Sequence, residues 1–253
     1  MLFYGKTDVG KRRAANQDNF AIRKYAGDVL AAVVCDGVGG ANGGDTASAV
    51  AVDIFREQLD RSEAEHPSFF GMPGEDIFDA LSVGVTEANR EVYRMAQNDA
   101  ALFGMGTTLV GCVVAGEEVY AVNVGDSRMY AVRGDGICQI SRDHSYVQYL
   151  VDCGRMTPEE AKSSKMKNRI TRAVGAEKTV SADFFETTAE IGDKFVLCSD
   201  GLTNHVEPEE SREIVAGVSA HDPDSVQHAC ENLIALANER GGTDNITVVV
   251  LAV

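Results

Sequence analysis

At 253 residues and 44% hydrophobic, the chain has ample material for a core without covalent staples, and with no proline-, glycine- or serine-rich linker it is expected to form one domain over 1–253. A formal net charge of −16, from 23 Lys and Arg against 39 Asp and Glu, excludes general nucleic-acid binding, because phosphate backbones attract basic surfaces. The six cysteines are scattered without a CxxC pair, no run approaches the ~20 apolar residues of a membrane span, and MLFYGKTDVGKRR lacks the apolar stretch of a signal peptide, so a soluble, cytoplasmic protein without a membrane partner is expected.

Along the chain, β-rich runs cover 19–23 and 28–35. A helix follows over 46–59, with Ala47, Ala51, Ile54, Phe55 and Leu59 on one face. After a loop at 66–76, a second helix overlapping its end spans 76–95 and aligns Leu81, Val85, Ala88, Val92 and Met95. A meander of strands then occupies 107–114, 119–124, 128–133 and 137–141, and the short connections AGEE and VGDS favour antiparallel hairpins. The stretch 146–169 is polar, irregular and long for an ordinary connection; within it Thr157-Pro158-Glu159-Glu160 reads as a helix start, with Thr157 as N-cap. Strands at 181–187 and 194–198, a helix at 225–237 built on Val226, Ala229, Leu233 and Ala237, and a strand at 246–253 close the chain. Strand runs interrupted by paired helices predict an α+β fold with stacked sheets flanked by helices.

Asp18, Asp36, Asp126, Asp200 and Asp244 stand at the ends of apolar, strand-like runs. A lone carboxylate there is ordinarily a turn or cap residue, and Asp126 in VGDS reads that way by itself. Several converging from distant parts of one chain form an oxygen-rich pocket that repels itself unless cations fill it, and Mg²⁺ or Mn²⁺ suits carboxylate, carbonyl and water ligands. A multi-metal hydrolase is the leading reading.

Eight motifs occur in order: GKRRAANQD at 10–18, DGVGG at 36–40, GMGTTL at 104–109, GDSR at 125–128, RDHS at 142–145, ITRAVG at 170–175, SDG at 199–201 and GTDNIT at 242–247. Together they resemble the metal-dependent protein phosphatase family (PPM, type 2C) in its short bacterial form, across essentially the whole chain. The resemblance implies a central sandwich of two antiparallel β-sheets flanked by helix pairs, with a binuclear metal site at one end. It further implies that Asp36 bridges two Mn²⁺ or Mg²⁺ ions, that Asp200 and Asp244 complete one of them, and that the backbone carbonyl of Gly37 binds the other. Asp18 holds metal-bound water, Asp126 with Asp200 forms a weaker third site, and Arg13 grips the substrate phosphate.

The implied chemistry is direct attack by metal-activated hydroxide on a phosphoserine or phosphothreonine ester, with metals and arginine neutralising the phosphoryl oxygens and no phosphoenzyme. CxxxxxR, the pattern of a cysteinyl-phosphate route, is absent. Two positions depart from the family: Gln17 stands where many members carry glutamate, which weakens one water-mediated ligand, and Val38 stands where animal members carry a histidine proposed as general acid. The identity of the proton donor stays open, with metal-bound water as one candidate. Arg13 could instead be one of three surface cations in KRR, with Arg12 the neighbouring candidate for the phosphate.

Thr107 is expected to pack or hydrogen-bond near the site, Arg128 and Arg172 to pair with acidic neighbours, and His144 to order a helix start rather than react. His66, His205, His221 and His228 read as surface residues. Family resemblance also implies that 146–169 is a mobile flap, on which Lys165 and Lys167 are candidates for attracting acidic phosphopeptides; a solvated helix face is the alternative. The partners expected are phosphorylated proteins and an opposing serine/threonine kinase system, acting on a monomer. The same chemistry on a small phosphoester or one dedicated regulatory protein, and a non-catalytic binding member, are the rival functions.

Overall fold

The computed structural model describes residues 1–39, 43–66, 71, 74–219 and 222–253. Gly40, His221 and most of the 66–76 loop therefore lie outside the described residues.

Two antiparallel sheets stack face to face. The first runs β1 (Leu2–Asp8), β11 (Ile246–Ala252), β10 (Lys194–Cys198), β7 (Arg128–Arg133), β8 (Gly136–Gln139). The second runs β2 (Asp18–Tyr25), β3 (Val29–Val38), β5 (Leu109–Ala115), β6 (Glu118–Val124), β9 (Asp183–Thr188), with the short β4 (Gly106–Thr107) paired to the end of β3. Strand alternation sorts the side chains into layers. On β3, Leu30, Ala32 and Val34 point between the sheets, where they meet Cys112, Phe195, Leu197, Val249 and Leu251. Ala31, Val33 and Cys35 point the other way, onto Ala51 and Phe55 of α1 (Gly44–Glu65) and Leu81 and Val85 of α2 (Gly74–Asn98). Behind the first sheet, Val196, Val248 and Val250 pack on Val215 of α6 (Pro208–Ala216) and on Val226 and Leu233 of α7 (Pro223–Glu239). The result is the expected helix–sheet–sheet–helix sandwich.

Three elements differ from expectation. GDS at 125–127 is not a hairpin turn: β6 and β7 belong to different sheets, so this connection carries the chain across the sandwich. The AGEE connection does join paired strands, β5 and β6. The N-terminal β1, unassigned from sequence, pairs along its length with β11; its Gly5 sits where an added Cβ would lie 2.3 Å from the Phe20 ring, so the residue that weakens the strand signal is required by sheet-to-sheet contact. Lastly, the polar stretch 146–169 folds into α3 (Tyr146–Asp152) and α4 (Pro158–Ser163). Thr157 caps α4, as its sequence predicted, and does so in a full capping box with Glu160. The segment is pinched at its base, where the Tyr146 amide donates to the Arg169 carbonyl at 2.7 Å. Between α4 and α7 lie the one-turn α5 (Asp200–Thr203) and α6.

Candidate active site

Antiparallel pairing brings the predicted aspartates to one end of the sandwich. Asp18 opens β2 directly opposite Asp36 near the end of β3, a like-charge pair that costs a sheet stability. Asp200 follows β10, Asp244 precedes β11, and Asp126 follows β6. Asp36, Asp126, Asp200, Asp244, Gly37 and Arg13 all line one cavity of about 200 Å³.

The backbone of Asp36 is fixed from both sides. Its N–H donates to Thr108 Oγ1 (2.9 Å), while its carbonyl accepts from the Thr108 amide (2.8 Å) and Thr107 Oγ1 (2.9 Å). Thr107 thus hydrogen-bonds beside the site, as expected. Gly37 admits no side chain: a Cβ there would lie 2.1 Å from the Gly44 carbonyl oxygen.

Burial drives the Asp36 carboxyl well above its ordinary pKa, and the next four causes are the charges of Asp18, Asp200, Asp126 and Asp244. Asp18, Asp126 and Asp200 are likewise pushed up, first by burial and then by neighbouring carboxylates: Asp200 and Asp244 for Asp18, Asp200 and Asp143 for Asp126, and Asp244 for Asp200. Local bonds offset part of this: Asp18 Oδ2 accepts from Ser199 Oγ and Thr247 Oγ1, each at 2.7 Å, and Asp200 Oδ2 accepts from Asn204 Nδ2 at 3.1 Å. Asp18 Oδ1 and Asp200 Oδ1 are buried with no hydrogen-bond partner in the protein. Partnerless buried carboxylate oxygens amid mutual negative charge are poorly tolerated without a cation, so the donor set fits hard divalent ions. Among the described residues no three acidic, histidine or cysteine side chains close into a ready-made coordination shell; Asp36, Asp126, Asp200 and Asp244 share a cavity wall, and Asp18 lies behind it, paired with Asp36 across the strands.

Arg13 Nη2 donates to Asp244 Oδ2 at 2.7 Å, with the guanidinium half exposed in the cleft. The loop carrying it is tied down by Asn245, whose Nδ2 donates to the carbonyls of Val9 and Ala15 (3.0 Å each) and whose Oδ1 accepts from the Gln17 amide (2.9 Å). Asn245 had no assigned role from sequence, although it sits within the GTDNIT motif. Asn168, near the end of the 146–169 segment, and Ile170, which opens the ITRAVG motif just after it, also line the cavity; neither was assigned to the site from sequence. His205, expected to be an ordinary surface histidine, lies with Nε2 2.8 Å from Thr243 Oγ1, next to Asp244.

A second cavity of about 430 Å³ lies between α3–α4 and α5–α6 and shares Asp126, Asp200 and Asn168 with the first. Lys167 lines it, whereas Lys165 is exposed and lines neither. Lys162, at its edge, pairs with Glu207 at 2.6 Å. Arg128 forms a bidentate pair with Asp143, and Arg172 Nη1 donates to Asp183 Oδ1 at 2.7 Å, the acidic pairings expected of both. Ser145 caps α3 by accepting from the Gln148 amide, and His144 beside it is buried and outside the catalytic cavity.

Comparison with known proteins places the chain in a family. The model of the protein phosphatase 2C family matches residues 9–234. The serine/threonine phosphatase stp of Listeria innocua is 35% identical over 97% of this chain and 93% of that protein. The solved structure of serine/threonine phosphatase Stp1 from Staphylococcus aureus superposes with a TM-score of 0.89 at 33% identity, covering 100% of this chain and 95% of that one. The catalytic domain of serine/threonine protein phosphatase PstP, solved in complex with 2 manganese ions, superposes with a TM-score of 0.76 at 34% identity over 98% of this chain and 96% of that one. The chain belongs to the protein phosphatase 2C family, as a bacterial PPM-type serine/threonine phosphatase.

Proposed function

We propose that this phosphatase hydrolyses phosphoserine and phosphothreonine esters at the aspartate-lined cavity with two divalent cations, Mn²⁺ or Mg²⁺, held by Asp36, Asp200, Asp244 and the Gly37 carbonyl, and a weaker third held by Asp126 and Asp200. The observation that carries this reading is the mutual destabilisation of the buried carboxylates together with the partnerless oxygens of Asp18 and Asp200. The two manganese ions of the PstP relative support it. Bound there, such cations would activate a water at neutral pH and neutralise developing charge on the phosphoryl oxygens.

The protein's own groups do the rest. With Oδ2 saturated by Ser199 and Thr247, Asp18 is left with Oδ1 as a fixed acceptor that orients water. Arg13 exchanges Asp244 for the substrate phosphate, whose oxygens match its planar fork. The described residues lining the cavity include no histidine, and Val38 is among them, so protonation of the leaving serine or threonine oxygen does not come from an imidazole there. The substrates are phosphorylated proteins, opposed by a serine/threonine kinase, and the enzyme acts as a cytoplasmic monomer in 1–253.

Hydrolysis of p-nitrophenyl phosphate with Mn²⁺, Mg²⁺ or chelator, followed by phosphoserine, phosphothreonine and phosphotyrosine peptides, tests this. Activity abolished by chelator and restored by either ion, with the first two peptides preferred, is expected. Activity in chelator would remove the metal reading, and hydrolysis of the tyrosine peptide alone would overturn the substrate class.

A further inference from the structure

Outside the cavity, the His144 ring is buried at the foot of the 146–169 segment, 5% exposed, beside the turn that carries Asp126. It meets the turn that carries Asp126 twice. The His144 amide donates to the Gly125 carbonyl at 2.8 Å, and the Gly125 amide donates back to His144 Nδ1 at 3.1 Å. Asn123 Nδ2 adds a bond to the same Gly125 carbonyl at 3.1 Å. Gly125 needs such a clamp: its φ of 106° belongs to glycine, and a Cβ would lie 2.6 Å from Thr108 Cγ2. On the other side of the ring, Nε2 lies 3.1 Å from Asp183 Oδ2 and 3.0 Å from Arg172 Nη1. Arginine only donates, and Arg172 already donates to Asp183 Oδ1. The tautomer that serves both neighbours leaves Nδ1 bare for Gly125 and places the proton on Nε2 for Asp183. The His144 carbonyl accepts from the Thr171 amide at 2.7 Å, so the same residue joins both feet of the segment.

We propose that His144 is a positioning residue that aims Asp126 into the cavity by accepting the Gly125 N–H. The inference rests on the assignment of Asp126 to a metal, and its test separates the two. In His144→Asn the amide oxygen takes the place of Nδ1, keeping the acceptor for Gly125 and losing the reach to Asp183. In His144→Gln the amide reaches Asp183 and leaves Gly125 without an acceptor. Mn²⁺ binding is measured by calorimetry on each purified variant, with amide exchange at Gly125 and the thermal midpoint read in parallel. Second-sphere groups of this kind set metal affinity by about 10- to 100-fold. We expect His144→Gln to weaken the weakest Mn²⁺ event by about tenfold or more and to speed Gly125 exchange, while His144→Asn retains both and the two variants melt alike. Unchanged Mn²⁺ binding and exchange in His144→Gln, or equal losses in both variants, would overturn the proposal. Should neither variant fold, ¹⁵N-labelled wild type decides: scalar coupling across Gly125 N–H to Nδ1 supports it, and a protonated Nδ1 overturns it. Asp126→Asn, run alongside, must weaken the same Mn²⁺ event. If it does not, the metal assignment of Asp126 falls, and Gly125 exchange still decides the clamp.

Discussion

Leu30, Phe195, Leu197 and Leu251 fill the layer between the sheets with apolar atoms that need no partner. At the strand ends, burial and then neighbouring carboxylate charge push up the pKa values of Asp18, Asp36, Asp126 and Asp200, and Asp18 and Asp200 have bare oxygens. The two regions share strands: β3 carries both Leu30 and Asp36, and β10, which carries Leu197, ends at Cys198, two residues before Asp200. The first region stabilises the fold, and the second is held in place by it at a cost in stability, the trade-off expected where a site must bind what the chain itself does not supply.

Substitutions in the two regions should therefore act in opposite directions. Asp36→Asn or Asp244→Asn removes a carboxylate proposed to hold metal, and activity should fall by about 100-fold or more, since metals contribute several kcal/mol of transition-state stabilisation. In chelator, Asp36→Asn should melt at or above the wild-type temperature, because one repelling carboxylate is gone. Leu197→Ala should instead lower stability by about 2–5 kcal/mol through transfer and cavity terms, with kcat per folded molecule little changed. Turnover of Asp36→Asn within tenfold of wild type at saturating Mn²⁺, or a large drop in its melting temperature in chelator, would dissolve the contrast.

Arg13 sits between these cases, touching the site while half exposed. A charge-assisted bond to substrate phosphate contributes about 1.5–3 kcal/mol, so Arg13→Ala should lower kcat/KM about 10- to 150-fold. Because Arg13 donates to Asp244, its removal should leave Mn²⁺ affinity unchanged or tighter. Loss in Arg12→Ala with none in Arg13→Ala would shift the phosphate contact by one residue.

The carboxylates also sharpen the comparison through pH. Their folded pKa values lie above the unfolded value, with Asp18 pushed up to about 7 and Asp126 to about 8, so the folded protein binds more protons than the unfolded chain between about pH 4 and 8. Stability in chelator should fall as pH rises through that window, and Mn²⁺ should flatten or reverse the slope. His144 and His205, both lowered chiefly by burial, act in the opposite sense near pH 6. Urea midpoints at pH 5, 6, 7 and 8, with and without Mn²⁺, read this out. A slope that survives in Asp36→Asn unchanged would place its origin elsewhere.

What could be read from sequence follows the same division. The sandwich was legible because strands buried on both faces leave continuous apolar runs such as AAVVC, and helices on its outside leave spaced stripes such as Val226, Ala229 and Leu233. The aspartates were legible as motifs, and pairing register brings them together. β1 was lost because Gly5 and Lys6 interrupt its apolar pattern, although β11 supplies its pairing. The α6 helix carried a signal that went unassigned: Glu207, Pro208 and Glu210 form a capping box at its start, as Thr157, Pro158 and Glu160 do for α4. The crossover at Asp126 could not be told from a hairpin, because a short polar link between two strands looks the same whether they pair or stack. Asn168 reaches the cavity only through the fold of 146–169, which no periodicity announces, and Ile170, although it opens a motif, has an apolar side chain that did not mark it as a site residue.

The smallest expected effect belongs to that segment. Lys167 lines the cavity beneath it, Lys165 is exposed, and neither lies among the residues of the metal-site cavity. Exposed charges in a protein of net charge −16 act on a phosphopeptide mainly through screened attraction, worth about 0.2–1 kcal/mol per pair. Replacing both lysines by Gln should raise KM for acidic phosphopeptides by roughly 2- to 30-fold at low salt, less at high salt, and leave p-nitrophenyl phosphate hydrolysis nearly intact, because that substrate is too small to reach them. Lys167 should carry most of the change, since it faces the cavity and Lys165 does not. Equal losses on both substrates would mean that the lysines act through the site itself. No loss on either would leave the segment's basic residues as a solvated face, with any recognition falling to Asn168 and Ile170 at the cavity wall.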